Sequence, residues 1–62
     1  AINDSVASYH ANLGMALIGL ELPSEALESL EKAIGLAPDN PKYRQLRALA
    51  TEMKQNNIRF WQ

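Results

Sequence analysis

The chain has 62 residues, of which 47% are hydrophobic, and a formal net charge of −1 at pH 7. A single domain of this length buries only about 60% of its unfolded surface, so we expect marginal stability. Cysteines and metal-ligand clusters are absent from the sequence, which excludes the usual staples of small domains and predicts no cofactor.

No apolar run reaches the roughly 18 residues of a membrane span, and the first residues lack a signal-peptide pattern. The absence of cysteine is compatible with a cytoplasmic location.

The charges are divided unevenly along the chain. Residues 1–39 hold six carboxylates and one lysine, whereas residues 40–62 hold five basic side chains and one glutamate. Such asymmetry can guide the stacking of copies or of neighbouring units, and it fits two solvated helix faces equally well. The basic side chains have no interleaved aromatics on which bases would stack, so we expect no nucleic-acid partner.

The first predicted helix, helix A, begins near Asp4 or Ser5, either of which can cap a first turn. Its apolar residues recur at spacings of three and four, which places on one face Val6, Tyr9, His10, Leu13, Leu17 and Leu20. The opposite side carries Ala7, Ala11, Met15, Ile18 and Leu22, and no Asp, Glu, Lys or Arg occurs from residue 5 to residue 20. A helix that is apolar all round is buried on more than one side. We therefore expect helices of this chain to cover only part of helix A. Gly14, in mid-helix, predicts a close approach by one of them.

Prolines mark the limits of helices B and C. Pro23 suits the first position of helix B, whose predicted buried face is Ala26, Leu27, Leu30, Ala33 and Ile34, with Glu25, Glu28, Ser29, Glu31 and Lys32 in water. Pro38 ends helix B, Asn40 is the predicted cap of helix C, and Pro41 is its first residue. The predicted buried face of helix C is Tyr43, Leu46, Leu49, Ala50 and Met53. Asn56 and Asn57 are expected to end it, with an apolar tail at 58–62 that docks or prolongs the helix.

Residues 7–40 resemble one tetratricopeptide repeat (TPR), a helical hairpin that normally stacks in tandem. The signature positions are filled by His10, Leu13, Gly14, Leu17, Ala26, Leu30, Ala33 and Pro38. His10 departs from the usual Trp, Leu17 departs from the usual Tyr, and Leu22 stands where an acidic cap is common. Residues 41–57 are similar to the capping helix that closes many arrays. The resemblance implies an all-α fold of three antiparallel helices, a TPR-like hairpin plus a capping helix. The chain is then a single TPR-like domain or the C-terminal end of an array.

The resemblance also implies a function, because TPR arrays bind peptides on the first helix of each unit. Carried onto this chain, that surface consists of Ser8, Ala11, Asn12, Met15, Ile18 and Gly19, with Lys42 on helix C. Asn12 matches the asparagine that often holds a bound peptide. In chaperone-binding TPR domains, Lys and Arg clamp a terminal carboxylate. Here Lys42 supplies one cation, but Leu46 stands in place of the arginine, which disfavours that clamp.

Two interpretations of the chain stay open. In the first it is a non-enzymatic scaffold, of adaptor or co-chaperone type, that binds a peptide or helix, or adjacent repeats, through helix A. In the second the same face forms a homo-oligomer. An enzyme is a distant third, because His10 is the only histidine and the sequence places no nucleophile and orienting group around it.

Overall fold

The computed structural model of the chain describes the backbone of residues 2–61 and the side chains of residues 5–56. It consists of α1 (Ile2–Gly19), α2 (Pro23–Leu36) and α3 (Pro41–Trp61). No strand occurs within residues 2–61, so the predicted all-α class and three-helix arrangement are confirmed. The connections are short, and consecutive helices run antiparallel. α2 packs against both other helices, whereas α1 and α3 touch each other little. The molecule is elongated, with extents of 44 × 19 × 13 Å.

α1 begins earlier than predicted and ends in a left-handed turn. Its first residue is Ile2, so the predicted start at Asp4 or Ser5 is wrong. Asp4 instead falls in the first turn of the helix. At the other end Glu21 has φ 61°. The Leu22 N–H donates to the Leu17 carbonyl at 2.9 Å, and the Glu21 N–H donates to the Ile18 carbonyl at 3.0 Å. These two bonds form a Schellman motif, which satisfies carbonyls that the helix leaves free.

Proline opens both later helices, as predicted. Pro23 is the first residue of α2, and no side chain caps this helix because Leu22 occupies the cap position. Pro41 opens α3, and the Asn40 Oδ1 atom accepts the Lys42 N–H at 2.9 Å, which confirms the predicted cap. The Arg44 guanidinium donates to the Pro38 carbonyl and so ties α3 to the turn before it.

α3 is longer than its predicted end at Asn56 and Asn57. It continues to Trp61, so the prediction that the asparagines end the helix is wrong and the prolonged helix is confirmed. Both asparagines keep the helical backbone rather than forming a left-handed cap. The apolar side chains of residues 58–62, and their predicted docking, lie outside the described side chains.

The core is built almost entirely from alanine. One cluster contains Ala7, Ala11, Ala33 and Tyr43, and the other contains Ala26, Leu30 and Ala50. Leu30 is the largest fully buried side chain. It lies against Gly14, where an added Cβ would stand 2.7 Å from Leu30 Cγ and 2.8 Å from Leu30 Cδ2. The predicted close helix approach at Gly14 is therefore confirmed.

Two expected burial states are reversed. Ser29 was expected in water but is buried, because it lies three residues after Ala26 and four before Ala33, on the face that α2 turns to its neighbours. Leu49 was expected in the core but is exposed. α3 packs on α2 through a narrow face centred on Tyr43 and Ala50. Leu49 lies at the edge of that face and therefore stays exposed.

Candidate functional site

Many of the large apolar side chains in the described part of the chain lie outside the core. Eight of them are exposed: Val6, Tyr9, Leu13, Met15, Leu20, Leu22, Leu36 and Leu49. Among the described side chains, Leu30 and Tyr43 alone are both large and buried, and the remaining large ones are half-buried. A contiguous patch of exposed apolar side chains often marks an interaction site, whereas apolar side chains that are exposed singly are normal on a protein surface. These side chains are concentrated on α1 and the turn that follows it, which makes α1 the candidate site.

Five residues form a continuous apolar line along α1 and its end, which we call the outer stripe: Val6, Tyr9, Leu13, Ala16 and Leu20. All five are exposed, Tyr9 by 63% and Leu20 by 68%. Their spacings are three, four, three and four, so they fall on one side of the helix. The same alternation defines the seam of a coiled coil, where it matches the ridges of a second helix. The outer stripe thus has the pattern of a helix-packing surface.

Small residues explain why this stripe faces outward. Ala7, Ala11 and Gly14 follow one another at spacings of four and three, and all three are buried against α2. Their size lets the two helix backbones approach closely. The larger residues of α1 are consequently turned away from α2. Sequence reasoning recorded the apolar spacing from Val6 to Leu20 but did not assign binding to it. The run of small residues was the signal that identifies the opposite side as the free one.

Two residues of the outer stripe have counterparts on α3 that are covered by another helix. Tyr9 and Ala16 precede Tyr43 and Ala50 by 34 residues each. Tyr43 is only 7% exposed and Ala50 is fully buried, because α2 covers both of them. No helix in the described part of the chain covers Tyr9 and Ala16 in the same way. Two of the five outer-stripe positions, Tyr9 and Ala16, therefore have counterparts on α3 that pack against a helix.

The binding residues predicted from the resemblance divide into two groups. Four of them are exposed on a second side of α1, which we call the lateral face: Ser8, Asn12, Met15 and Gly19. Lys42 is also exposed, in the first turn of α3. Ala11 and Ile18 are not on this surface. Ala11 is buried against α2 because it lies in the small-residue run, and Ile18 is half-buried against the cluster that contains Leu30.

Two of the described side chains that are candidates for chemistry, those of His10 and Tyr9, lie next to each other on α1. His10 is half-buried, and its ring meets that of Tyr9 edge-on, with centroids 5.3 Å apart and an interplanar angle of 68°. Within residues 5–56, no three His, Cys, Asp or Glu side chains gather closely enough to hold a metal ion. A depression of about 570 Å³ at the α2–α3 turn is lined by residues 36–41, whose only ionisable side chain is that of Asp39.

Comparison with known proteins adds no relative. No family model matches the chain, and neither the curated proteins nor the solved structures contain a match. The TPR resemblance thus stands on the residues that carry it. Over the described residues, no helix has the length and hydropathy needed to cross a membrane.

Proposed function

We propose that this chain is a non-enzymatic, TPR-like protein-interaction module that binds an α-helix of another polypeptide chain on the outer stripe of α1. The observation that carries the proposal is the exposure of Tyr9, Leu13 and Leu20 beside a core made mostly of alanine. A small chain gains most from hydrophobic burial, yet this chain leaves these three large side chains exposed to water. A bound helix would cover them.

The spacing of the outer stripe favours a helix over an extended peptide. Side chains three and four residues apart on α1 form ridges that fit the grooves of another helix. Tyr9 suits an anchor at the centre of such a contact, because tyrosine is enriched among the residues that dominate binding energy. Covering the stripe would remove on the order of 300–400 Å² of apolar surface from water.

The lateral face is a second candidate, for an extended peptide. It combines the exposed amide of Asn12 with the exposed side chain of Met15. An amide can donate to and accept from a peptide backbone, and methionine adapts to varied apolar side chains. This pairing supports a peptide-binding role for the lateral face of α1.

The two surfaces can be separated by a matched pair of variants. Leu13→Glu places a carboxylate on the outer stripe, and Met15→Glu places one on the lateral face. The two side chains are 40% and 44% exposed on the same helix, so both variants should keep the fold. The 62-residue chain would be used to select binders from a displayed library of helical and extended peptides. Circular dichroism would check that both variants remain helical.

We expect the selected binders to be amphipathic helices. Leu13→Glu should weaken their binding at least about tenfold, whereas Met15→Glu should leave their affinity within about twofold of the wild-type value. Loss of binding in Met15→Glu alone would assign the function to the lateral face. If neither surface yields binders, and the chain does not bind itself, the proposed function is wrong.

A further inference from the structure

We infer that the outer stripe binds the outer stripe of a second copy of this chain, with the two α1 helices antiparallel about a two-fold axis. The inference rests on the proposed function, since it names the occupant of the same surface. Three features of the molecule carry it: the absence of charge on α1 from Ser5 onwards, the polar character of the opposite side of the molecule, and the area that the stripe exposes.

The first feature is charge. From Ser5 to Leu20, α1 contains no carboxylate, ammonium or guanidinium group. In a two-fold contact, residues near the axis face their own equivalents in the other copy, so a charge there would be opposed by the same charge. The outer stripe avoids this repulsion. An antiparallel arrangement also sets the dipoles of the two helices against each other favourably.

The second feature is the side of the molecule that lies farthest from the outer stripe. The exposed residues of α3 include Arg44, Gln45, Arg47, Glu52 and Lys54. If copies stacked head to tail, the outer stripe would meet these groups and would have to remove their charges from water. Stacking of that kind is therefore disfavoured. A stripe-to-stripe contact closes after two molecules and leaves neither outer stripe exposed.

The outer stripe also alternates large and small side chains, which fit together when the stripe faces a second copy of itself. With the axis crossing α1 between residues 14 and 15, Leu13 of one molecule comes beside Ala16 of the other. The small side chain of Ala16 leaves room for that leucine, and Tyr9 comes beside Leu20 of the other molecule. This alternation of large and small residues is the arrangement by which helix pairs interdigitate.

The third feature is area, and it sets the expected strength. Two stripes and their polar margins would bury roughly 1,000 Å² in total, just below the 1,200 Å² at which stable interfaces begin. We therefore expect a reversible dimer with a dissociation constant on the order of 10⁻⁴ M. The dimer leaves the lateral faces of both molecules open, so a peptide could bind there without dissociating it.

Sedimentation equilibrium of the 62-residue chain, from about 10 µM to about 1 mM, tests the inference. The wild-type chain should pass from monomer to dimer without forming larger species. Leu13→Glu should raise the dissociation constant at least about 100-fold, because two carboxylates would meet near the axis. Leu20 lies just beyond the end of α1, and Leu20→Glu should also raise the dissociation constant. Met15→Glu, on the lateral face, should leave the dissociation constant within about twofold.

A mixture of variants provides a control that loss of folding cannot imitate. Equimolar Leu13→Glu and Leu13→Lys chains should associate more tightly than either variant alone, because unlike charges then meet across the axis. A wild-type chain that stays monomeric, grows beyond a dimer, or is dissociated equally by Met15→Glu would overturn the inference. A monomer that still binds a helical library peptide through Leu13 would overturn the second copy as occupant and leave the proposed function standing.

Discussion

Gly14 sets the distance between α1 and α2. Its missing side chain is replaced by Leu30, whose Cγ atom would lie 2.7 Å from an added Cβ. Leu30 is fully buried, so it has little freedom to move aside. A glycine in mid-helix costs about 1 kcal/mol relative to alanine, and the close approach of Leu30 explains why that cost is borne here.

We predict that Gly14→Ala lowers the free energy of unfolding, although alanine is the better helix former. Overpacking against Leu30 costs about 1–3 kcal/mol, which outweighs a gain in helix propensity of about 1 kcal/mol. Urea denaturation at low protein concentration would measure the change. Gly35→Ala is the matched control, because an added Cβ there meets nothing within 4 Å. That variant should be neutral or stabilised by up to about 1 kcal/mol. Equal stabilisation of both variants would contradict the packing at Gly14.

At the scale of the helices, the left-handed residue that ends α1 is a site of strain. Glu21 has φ 61°, which an L-residue adopts at a cost of about 1–2 kcal/mol. Glycine is the usual residue in this position of a Schellman motif because it has no Cβ. The motif itself is intact, as its two hydrogen bonds show.

We predict that Glu21→Gly raises the free energy of unfolding by up to about 1 kcal/mol. The relief of strain exceeds the extra conformational freedom that glycine gives the unfolded chain. Thermal unfolding followed by circular dichroism would detect the increase as a higher midpoint. Glu21→Ala is the control, since it removes the carboxylate but keeps the Cβ, and we expect no such increase. A midpoint that rises equally in both variants would point to the charge rather than to the backbone.

The helix limits show what the sequence can determine locally. Pro23, Asn40 and Pro41 fixed the starts of α2 and α3, because each residue type satisfies a specific requirement of a first turn. The end of α3 was not predictable in the same way. Asn56 and Asn57 tolerate a left-handed cap but do not require one, and the helix continues through them.

At the scale of the whole molecule, α2 packs between two helices, whereas α1 packs against α2 on one side only. α2 is flanked by α1 and α3, and its face towards them is buried, whereas the outer stripe of α1 has no cover within the described residues. The sequence predicted that part of α1 would remain free, because the helix is apolar all round. It did not predict which part. That choice depends on the three-dimensional fit of Ala7, Ala11 and Gly14 against α2, which helical periodicity alone cannot rank.

The same limitation explains the mixed outcome for the binding residues. Of the residues that the resemblance implies for binding, Ser8, Asn12 and Met15 lie exposed on α1, whereas Ala11 packs in the core, and their role in binding stays a prediction. Ile18 is shared between the surface and the cluster around Leu30. Residues that border two helices cannot be assigned from spacing, since a rotation of α1 by a few tens of degrees exchanges their environments.

The most direct test of the account is a methyl NMR dilution series of the wild-type chain, from about 1 mM to about 10 µM. If the outer stripe is the contact surface of this molecule and a second copy occupies it, the methyl signals of Val6, Leu13 and Leu20 will shift with concentration, while those of Leu30 and Met15 stay fixed. Signals of the outer stripe that do not change with concentration, or shifts led by Met15, would contradict it.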